Sequence, residues 1–305
     1  MPYGRYSRRR RYVRRTTPRR YRRSTTTFRK TRTRYRRKAP VRSRKRILNI
    51  TSRKKVDSMI TYGNFVGGVP STTFSVGKQL LRGGPNQVYN LLWSPSWRQL
   101  NHAGGGVLGT VAEKAQRTAT TCFMRGLKER VAIETVGGTS WRWRRIVFTA
   151  KGWLNQVPQS AAFAYALETT ANGYVRVVNT MDAAAYAFVS TLLFRGTGPN
   201  DWNSSINAAV DTSRVTLLYD KTRVINPSTE VGCVRDYKMW HGFNKNLVYN
   251  DDENVETMTG NPFSVPSKPG MGDIMVMDIF DAGLASNTDD GLQLEFQSSL
   301  YWHER

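Results

Sequence analysis

The segment "WRWRRIVFTAKG", residues 141–152, alternates tryptophan with arginine and then continues into a run of apolar residues. A period of two is typical of a β-strand, because successive side chains of a strand point to opposite faces of its sheet. The segment therefore predicts a β-strand.

The chain beyond residue 46 is rich in Val, Thr, Tyr, Phe and Trp, and clusters of Gly, Pro, Asn and Asp interrupt it. This profile is typical of an all-β sandwich or barrel. Residues 63–110 are predicted to be a long connection, and residues 153–185 leave short helices or a strand open. About eight strands with long insertions predict a single eight-stranded jelly roll, in which two four-stranded sheets pack face to face. The further strands are predicted at residues 46–62, 118–136, 187–196, 214–225, 237–250, 273–280 and 292–304.

The first 55 residues differ sharply in charge from the rest of the chain. They hold 25 of the 47 Lys and Arg residues and none of the 22 acidic residues, so the net charge of +25 lies here, and the remaining 22 basic residues balance the acidic ones. Such a block of like charge repels itself and buries too little apolar surface to fold. We expect residues 1–46 to form a disordered basic N-terminal arm and residues 47–305 to form the jelly-roll domain.

Twenty of these 25 basic residues are Arg, and Tyr and Phe are spaced among them. Arg binds phosphate oxygens in pairs and stacks on bases, while aromatic rings stack on unpaired bases of any sequence. The arm therefore predicts binding of single-stranded nucleic acid, whereas a merely solubilising tail would not need Arg in such excess. The residues assigned to this binding are Arg8, Arg9, Arg10, Arg11, Arg14, Arg15, Arg19, Arg20, Arg22, Arg23, Arg29, Lys30, Arg32, Arg34, Arg36, Arg37 and Lys38.

Two basic clusters of the arm match a nuclear localisation signal. They are Arg36, Arg37 and Lys38, and then Arg44, Lys45 and Arg46. The first 46 residues lack the apolar core of a signal peptide, and later apolar stretches such as residues 183–194 are too short and too polar to cross a bilayer. We expect recognition by nuclear import machinery and no membrane partner.

The residues that catalysis or metal binding would require are missing from the sequence. The glycine runs lack the Lys and Ser/Thr of a phosphate-binding loop, and His102, His241 and His303 have no ligand or catalytic spacing, which predicts surface or interface histidines. Cys122 and Cys233 form no disulfide framework and predict buried free thiols. We expect no enzymatic activity, no metal site and no cofactor.

Three further groups of residues leave alternatives open. The acidic segments 250–256 and 287–291 do not follow the spacing of a calcium loop, so solvated turns are favoured over an ion site between subunits. Trp240 and Trp302 are predicted to pack in a core or an interface. The third group forms either an interior stacking site for DNA or an alternating strand with one solvated face. It consists of Trp141, Arg142, Trp143, Arg144 and Arg145.

The basic arm and the segments that follow it carry a resemblance to a known family. The segments are "KRILNITSRKKVDSM" (45–59), "LLYDKTRVI" (217–225), "WHGFNKNLVYNDDE" (240–253), "GMGDIMVMDIFD" (270–281) and "LYWHE" (300–304). They resemble the capsid proteins of genomoviruses, which are small circular single-stranded DNA viruses, and the later segments are more distantly similar to geminivirus coat proteins. The resemblance is loose over residues 63–185.

The resemblance implies a self-assembling homo-oligomer, an icosahedral T=1 shell of about 60 copies with the arm inside on the packaged DNA. It also implies import into the host nucleus before assembly and a final location in the virion. The alternative is a non-viral nuclear or ribosomal nucleic-acid-binding protein. Such proteins usually carry basic patches on the folded domain as well, whereas here the body of the chain is balanced in charge.

Overall fold

The computed structural model describes residues 44–65, 67–102 and 107–305, and residues 44–305 form one compact unit. The described backbone is mostly β-strand, so the predicted all-β class is confirmed. Its helices are α1 (Arg44–Thr51), α2 (Ala183–Leu193) and the 3₁₀ turn Leu154–Gln156. Its strands are β1 (Arg53–Gly63), β2 (Ser75–Val76), β3 (Gln79–Arg82), β4 (Val88–Trp93), β5 (Thr121–Val136), β6 (Trp141–Ala150), β7 (Glu168–Thr169), β8 (Gly173–Tyr174), β9 (Arg176–Val178), β10 (Thr216–Ile225), β11 (Val234–Val248), β12 (Asp252–Asn254), β13 (Thr257–Thr259), β14 (Asp273–Ala282) and β15 (Gly291–Glu304).

Two sheets dominate the structure. The first sheet has seven strands in the order β11-β5-β15-β1-β2, with β3 paired to the start of β15 and β9 paired to β1. The second sheet has four strands in the order β10-β6-β14-β4. Short hairpins, β7–β8 and β12–β13, lie outside both sheets. The chain crosses repeatedly from one sheet to the other, since β1, β5, β11 and β15 belong to the first and β4, β6, β10 and β14 to the second.

Apolar side chains from both sheets fill the space between them. At one end Met59, Leu127 and Leu300 of the first sheet pack with Trp93 and Val276 of the second. At the other end Ile133 and Phe296 of the first sheet pack with Trp143 and Phe280 of the second. Because inward and outward residues alternate along each strand, this shared core fixes the register of the long strands.

The two sheets differ in their outer faces. In the second sheet the central strands β6 and β14 are almost entirely buried on both faces, because residues 151–215 between β6 and β10 lie across them, whereas the edge strand β10 stays largely accessible. Helix α2 is part of this cover, and its Ala185, Val189 and Leu193 face the sheet at helical spacing. The long strands of the first sheet instead alternate buried and accessible residues, which leaves one face of that sheet uncovered.

Helix α2 replaces a predicted strand. The prediction for residues 187–196 rested on their β-branched and apolar character, but the preceding alanines favour a helix. Asp182 caps the helix by accepting a hydrogen bond from the Ala185 backbone N–H (2.8 Å). The helix thus begins within the region that the sequence left open between helix and strand.

Two other predictions near the start of the fold need correction, although β1 confirms residues 53–62 of the predicted strand 46–62. Helix α1 occupies the beginning of the predicted strand 46–62, and its Ile47 and Ile50 are exposed, so this apolar run marks no core-facing strand. The predicted connection 63–110 contains β2, β3 and β4, and β4 is a full member of the second sheet. The short apolar run "VYNLLW" of β4 was obscured by the glycine and proline turns on either side.

The remaining predicted strands are confirmed with shifts of a few residues. They correspond to β5, β6, β10, β11, β14 and β15. No helix of the described part of the chain has the length and apolar character needed to cross a membrane.

Candidate nucleic-acid interface

All of the nucleic-acid-binding residues predicted in the arm, Arg8 to Lys38, lie outside the described residues, and so does the first nuclear localisation cluster. The second cluster, Arg44, Lys45 and Arg46, lies in helix α1. This helix leads directly into β1, so the described fold begins with a basic helix next to the edge of the first sheet.

The entry of the chain into the first sheet is fixed by buried charges. Lys55 is buried, and its Nζ donates hydrogen bonds to the carbonyl oxygens of Glu113 (2.6 Å) and Gln116 (3.0 Å). The same ammonium group lies 3.7 Å from one carboxylate oxygen of Glu304, and the other oxygen of Glu304 accepts a hydrogen bond from the Trp302 indole N–H (2.7 Å). Because β1 and β15 are paired at this point, these contacts hold the first strand in register.

The stacking site predicted around Trp141 and Trp143 is not available to DNA. Both indoles are fully buried between the two sheets. Trp143 stacks on Phe280 with 5.8 Å between ring centroids and meets the edge of Tyr237 at 5.2 Å. Their aromatic surface belongs to the core, so an unpaired base has no ring face to occupy here.

The neighbouring arginines are occupied by carboxylates. Arg145 is fully buried, and Arg144 is nearly so and binds Asp220 through two nitrogens (2.9 and 2.6 Å). Arg142 is the exposed member of the group and pairs with Asp281. The alternative of a strand with one solvated face is therefore also wrong, because the cover formed by residues 151–215 buries the outward positions after Arg142.

Arg145 belongs to a buried network that joins both sheets. Its guanidinium contacts Glu129 of β5 (2.5 Å) and both carboxylate oxygens of Asp278 of β14 (2.7 and 2.9 Å). Arg176 of β9 bridges the same two carboxylates at 3.3 and 2.7 Å. Ser298 of β15 donates a further bond to Glu129 (2.8 Å). Two positive and two negative groups thus neutralise one another inside the protein.

This neutralisation shows in the acidities of the network. Burial opposes ionisation of Glu129, but the charges of Arg145 and Arg176 outweigh it and hold the pKa of this carboxyl below its ordinary value. Burial likewise opposes ionisation of Asp278, yet Arg145 and Arg176 lower its pKa overall. Both carboxyls are therefore ionised at neutral pH. Guanidinium groups stay protonated in proteins, so the network has no net charge.

Two more arginines of the folded unit are neutralised by carboxylates. Arg98 donates to Asp57 (2.8 Å) and lies against the Tyr174 ring. Arg117 binds both oxygens of Asp251 (2.5 and 2.9 Å). The balance of basic and acidic residues after residue 55 therefore includes buried internal pairs, which composition alone does not reveal.

The histidines remain apart in the structure. His102 lies 3.1 Å from a carboxylate oxygen of Glu113 on the surface, and His303 is half-buried. His241 is buried against the Tyr219 ring, contrary to the predicted surface or interface position, and burial together with the charge of Arg145 lowers its pKa to about 4. Cys122 is a buried free thiol as predicted, and Cys233 is free and half-buried.

The acidic segments include structural carboxylates. The hairpin β12–β13 is exposed, but Asp251 beside it pairs with Arg117. In the second segment Asp290 is buried and accepts the Thr139 hydroxyl (2.8 Å). Within the described ranges, no group of three His, Cys, Asp or Glu side chains is placed to hold a metal ion.

The sequence analysis did not predict a basic and aromatic surface that lies on the uncovered face of the first sheet. We call this surface the open face. Trp240 is exposed, so of its two predicted positions the core is wrong and an interface stays a prediction, whereas Trp302 is buried as predicted. A signal was present, because "LKERVAIE" alternates Lys128 and Arg130 with core-facing residues. The residues that define the open face are Arg125, Lys128, Arg130, Lys238, Trp240 and Tyr301.

Comparisons with known proteins add little to this geometry. No protein-family model and no curated protein matches the chain. Among solved structures, one match is VP1 of the Trichodysplasia spinulosa-associated polyomavirus in complex with GM1 oligosaccharide. The two chains share 9% identity over 82% of this chain and 76% of the other, with a TM-score of 0.10. A score this low carries no argument about fold or function.

Proposed function

We propose that this protein is the capsid subunit of a small circular single-stranded DNA virus of the genomovirus type. In this proposal residues 47–305 form a single jelly roll that assembles into an icosahedral shell. The Arg-rich arm, residues 1–46, binds the packaged genome inside that shell.

The observation that carries the proposal is the strand order of the two sheets. The first sheet contains the order β11-β5-β15-β1 and the second contains β10-β6-β14-β4. Along the chain, these eight long strands alternate between the first and the second sheet. The one exception is β6 followed by β10, which both belong to the second sheet. Two interlocked Greek keys folded into a double sheet produce this order, and viral capsid domains are among the proteins built this way. The shorter β2, β3 and β9 extend the first sheet at its margin.

The distribution of charge supports the same function. Arginines of the folded unit such as Arg145 and Arg117 are neutralised by buried carboxylates, whereas the first 55 residues have no carboxylate at all. A subunit that binds a polyanion through one extended basic segment, while its body carries no net charge, can approach its neighbours closely. Apolar side chains suited to such contacts are exposed near the ends of β5, β10 and β11: Val136, Val224, Val231 and Val234.

The proposed mechanism is co-assembly. Phosphate groups of the DNA neutralise the arms, which otherwise hold subunits apart, and contacts between jelly rolls then close the shell. About 60 copies, each with a net charge of +25, carry about 1,500 positive charges and offset a similar number of nucleotides. The proposal thus predicts a genome of one to a few kilobases, import into the host nucleus through the basic clusters, and no catalytic step.

Electron microscopy after sedimentation, combined with measurement of nuclease-protected DNA, tests the proposal. The full chain is compared with a variant in which the arginines from Arg8 to Arg37 are replaced by glutamine, so that chain length is unchanged. We expect closed uniform particles that protect single-stranded DNA with the full chain, and loss of the protected DNA with the variant. Soluble monomers that merely coat added nucleic acid would favour the non-viral alternative.

A further inference from the structure

We propose that the open face is a second binding surface for single-stranded nucleic acid, with a base stacked on Trp240 and phosphates bound by Lys128, Arg130 and Lys238. The inference rests on the proposed function, because it takes the same ligand. It differs in assigning binding to the folded unit as well as to the arm.

Strand pairing brings the cations of the open face together. Arg130 of β5 lies directly opposite Lys238 of β11, and Lys128, two residues along the same face, lies opposite Trp240. Core-facing Glu129 and Val131 alternate with these cations, so the three basic side chains point outward and are exposed. Like charges directly opposite each other destabilise a sheet. Binding of an anionic partner would relieve this repulsion between the cations.

The described residues provide no such partner. No carboxylate of the described part lies within 4.0 Å of Lys128, Arg130 or Lys238, although Lys78 at the margin of the same sheet reaches Glu134 at 3.8 Å. The acidic side chains that share this face are Glu134, Asp236 and Glu295, in the rows beyond Arg130. The face therefore has a cationic half centred on Lys128, Arg130 and Lys238.

The aromatic part of the open face is held in place. Trp240 is 53% exposed, and its indole lies over Gly126 of the neighbouring strand, where an added Cβ would be 2.5 Å from a ring carbon. Tyr301 flanks it with 5.8 Å between ring centroids. A ring that is already fixed loses little conformational freedom when a base stacks on it. Trp240 and Lys128 lie opposite each other, which places a stacking surface next to a phosphate site.

Charge complementarity favours nucleic acid over a second copy of the chain. Two open faces stacked with their cationic halves in contact would add to the existing repulsion. A single strand instead offers closely spaced phosphates to the cations and unpaired bases to the rings. The face also lies on the sheet that the basic helix α1 enters, and exposed Arg53 and Lys54 begin that sheet.

The test measures binding of a short thymidine oligonucleotide to the full chain over a range of salt concentrations. The variant Lys128→Gln/Arg130→Gln/Lys238→Gln removes three cations from the open face. The matched control Arg195→Gln/Lys221→Gln/Lys268→Gln removes three exposed cations elsewhere. Each lost phosphate contact reduces the slope of log affinity against log salt by about 0.7, so we expect a decrease of about 2 for the open-face variant and none for the control.

A second arm of the experiment examines stacking. We expect Trp240→Ala to weaken binding about tenfold and Trp240→Phe to retain most of it, because any aromatic ring offers a face. We also expect an iodouracil-containing oligonucleotide to crosslink at Trp240 or Tyr301 under ultraviolet light. These side chains are on the surface, so equal thermal midpoints of all variants check that folding is intact.

The possible results are distinguishable. Equal slopes for the open-face and control variants, with strong binding by the parent chain, would overturn this inference and leave the arm as the binding segment. A parent chain that does not bind the oligonucleotide would overturn the proposed function itself. Altered oligomerisation by Trp240→Ala with an unchanged slope would instead make the open face a contact between subunits and contradict the inference.

Discussion

Strand β6 and the open face both combine aromatic rings with basic residues, yet the structure uses them in opposite ways. In β6, Trp143 is buried and Arg145 is bound by two carboxylates. On the open face, Trp240 is half exposed and Arg130 lies opposite another cation. A basic and aromatic composition therefore indicates a nucleic-acid site only where the charges remain unpaired and the rings remain accessible.

The strongest test of this comparison is to break the buried network. Arg145→Met leaves Glu129 and Asp278 facing each other in the core with one cation fewer. Leaving a buried charge uncompensated lowers the free energy of unfolding by about 3–5 kcal/mol. Arg142→Met, on the same strand but with an exposed side chain, should cost about 1 kcal/mol or less. Denaturant unfolding measures both, and equal losses would contradict the assigned roles.

The pH dependence of stability sharpens the same contrast, because His241 packs beside the network. Its pKa is about 4, below the ordinary value, so the unfolded chain binds a proton more readily than the folded one. Stability is therefore lost as pH falls from about 6.5 toward 4, by up to about 3 kcal/mol. The groups that face this ring are Arg145, Glu129, Asp278 and Arg223.

A comparison of the parent chain with His241→Phe isolates this effect. Asp273 acts in the opposite direction, because burial raises its pKa to about 6 and favours folding at lower pH. Both chains retain Asp273, so the difference between their unfolding free energies removes its contribution. A difference that stays constant between pH 7 and pH 4 would mean that His241 titrates normally.

The support of the open face is tested at Gly126. An added Cβ at this position would lie 2.5 Å from the Trp240 ring and 2.7 Å from the His241 carbonyl oxygen. Gly126→Ala should therefore lower the free energy of unfolding by about 1–3 kcal/mol and displace the indole. Gly84→Ala is the matched control, since its nearest contact is an ordinary 3.7 Å, and we expect a change within about 0.5 kcal/mol. Similar losses in the two variants would show that Trp240 is not seated on Gly126.

The smallest predicted effect is a gain in stability when one cation of the open face is removed. Replacing Arg130 with glutamine removes one of two like charges that lie directly opposite each other. We expect the free energy of unfolding to rise by a few tenths of a kcal/mol at low salt, and the gain to fade as salt screens the pair. A decrease in stability would mean that Arg130 has a stabilising partner in the free protein.

The sequence was a good guide where local pattern and burial agree. The period-two alternation of β5 and β15 and the apolar run of β14 predicted those strands, because each packs against the core that its own pattern describes. Strand β4 was missed, and helix α2 was left open at its start and predicted as a strand from residue 187, since both are short apolar segments whose secondary structure depends on what they pack against. A cover over the second sheet is a tertiary feature and leaves no local signature.

The candidate site was predictable only in part, for a related reason. Neutralisation of Arg145 depends on Glu129, Asp278 and Arg176, which are distant in sequence and meet only when the two sheets pack. The open face is likewise assembled from β5, β11 and β15 by their register. Composition located the arm, which needs no partner strand to be recognised, and could not separate paired from unpaired cations in the body.

A three-dimensional reconstruction of particles assembled from the full chain with single-stranded DNA would show whether the chain forms a shell and which surface of it faces the DNA. We expect a closed icosahedral shell with the open face turned toward the packaged DNA and density in contact with Trp240. Residues 151–215, which cover the second sheet, should then lie on the side away from the DNA. Failure to form closed particles, or particles with Trp240 on the outer surface and no DNA density beside it, would contradict the account.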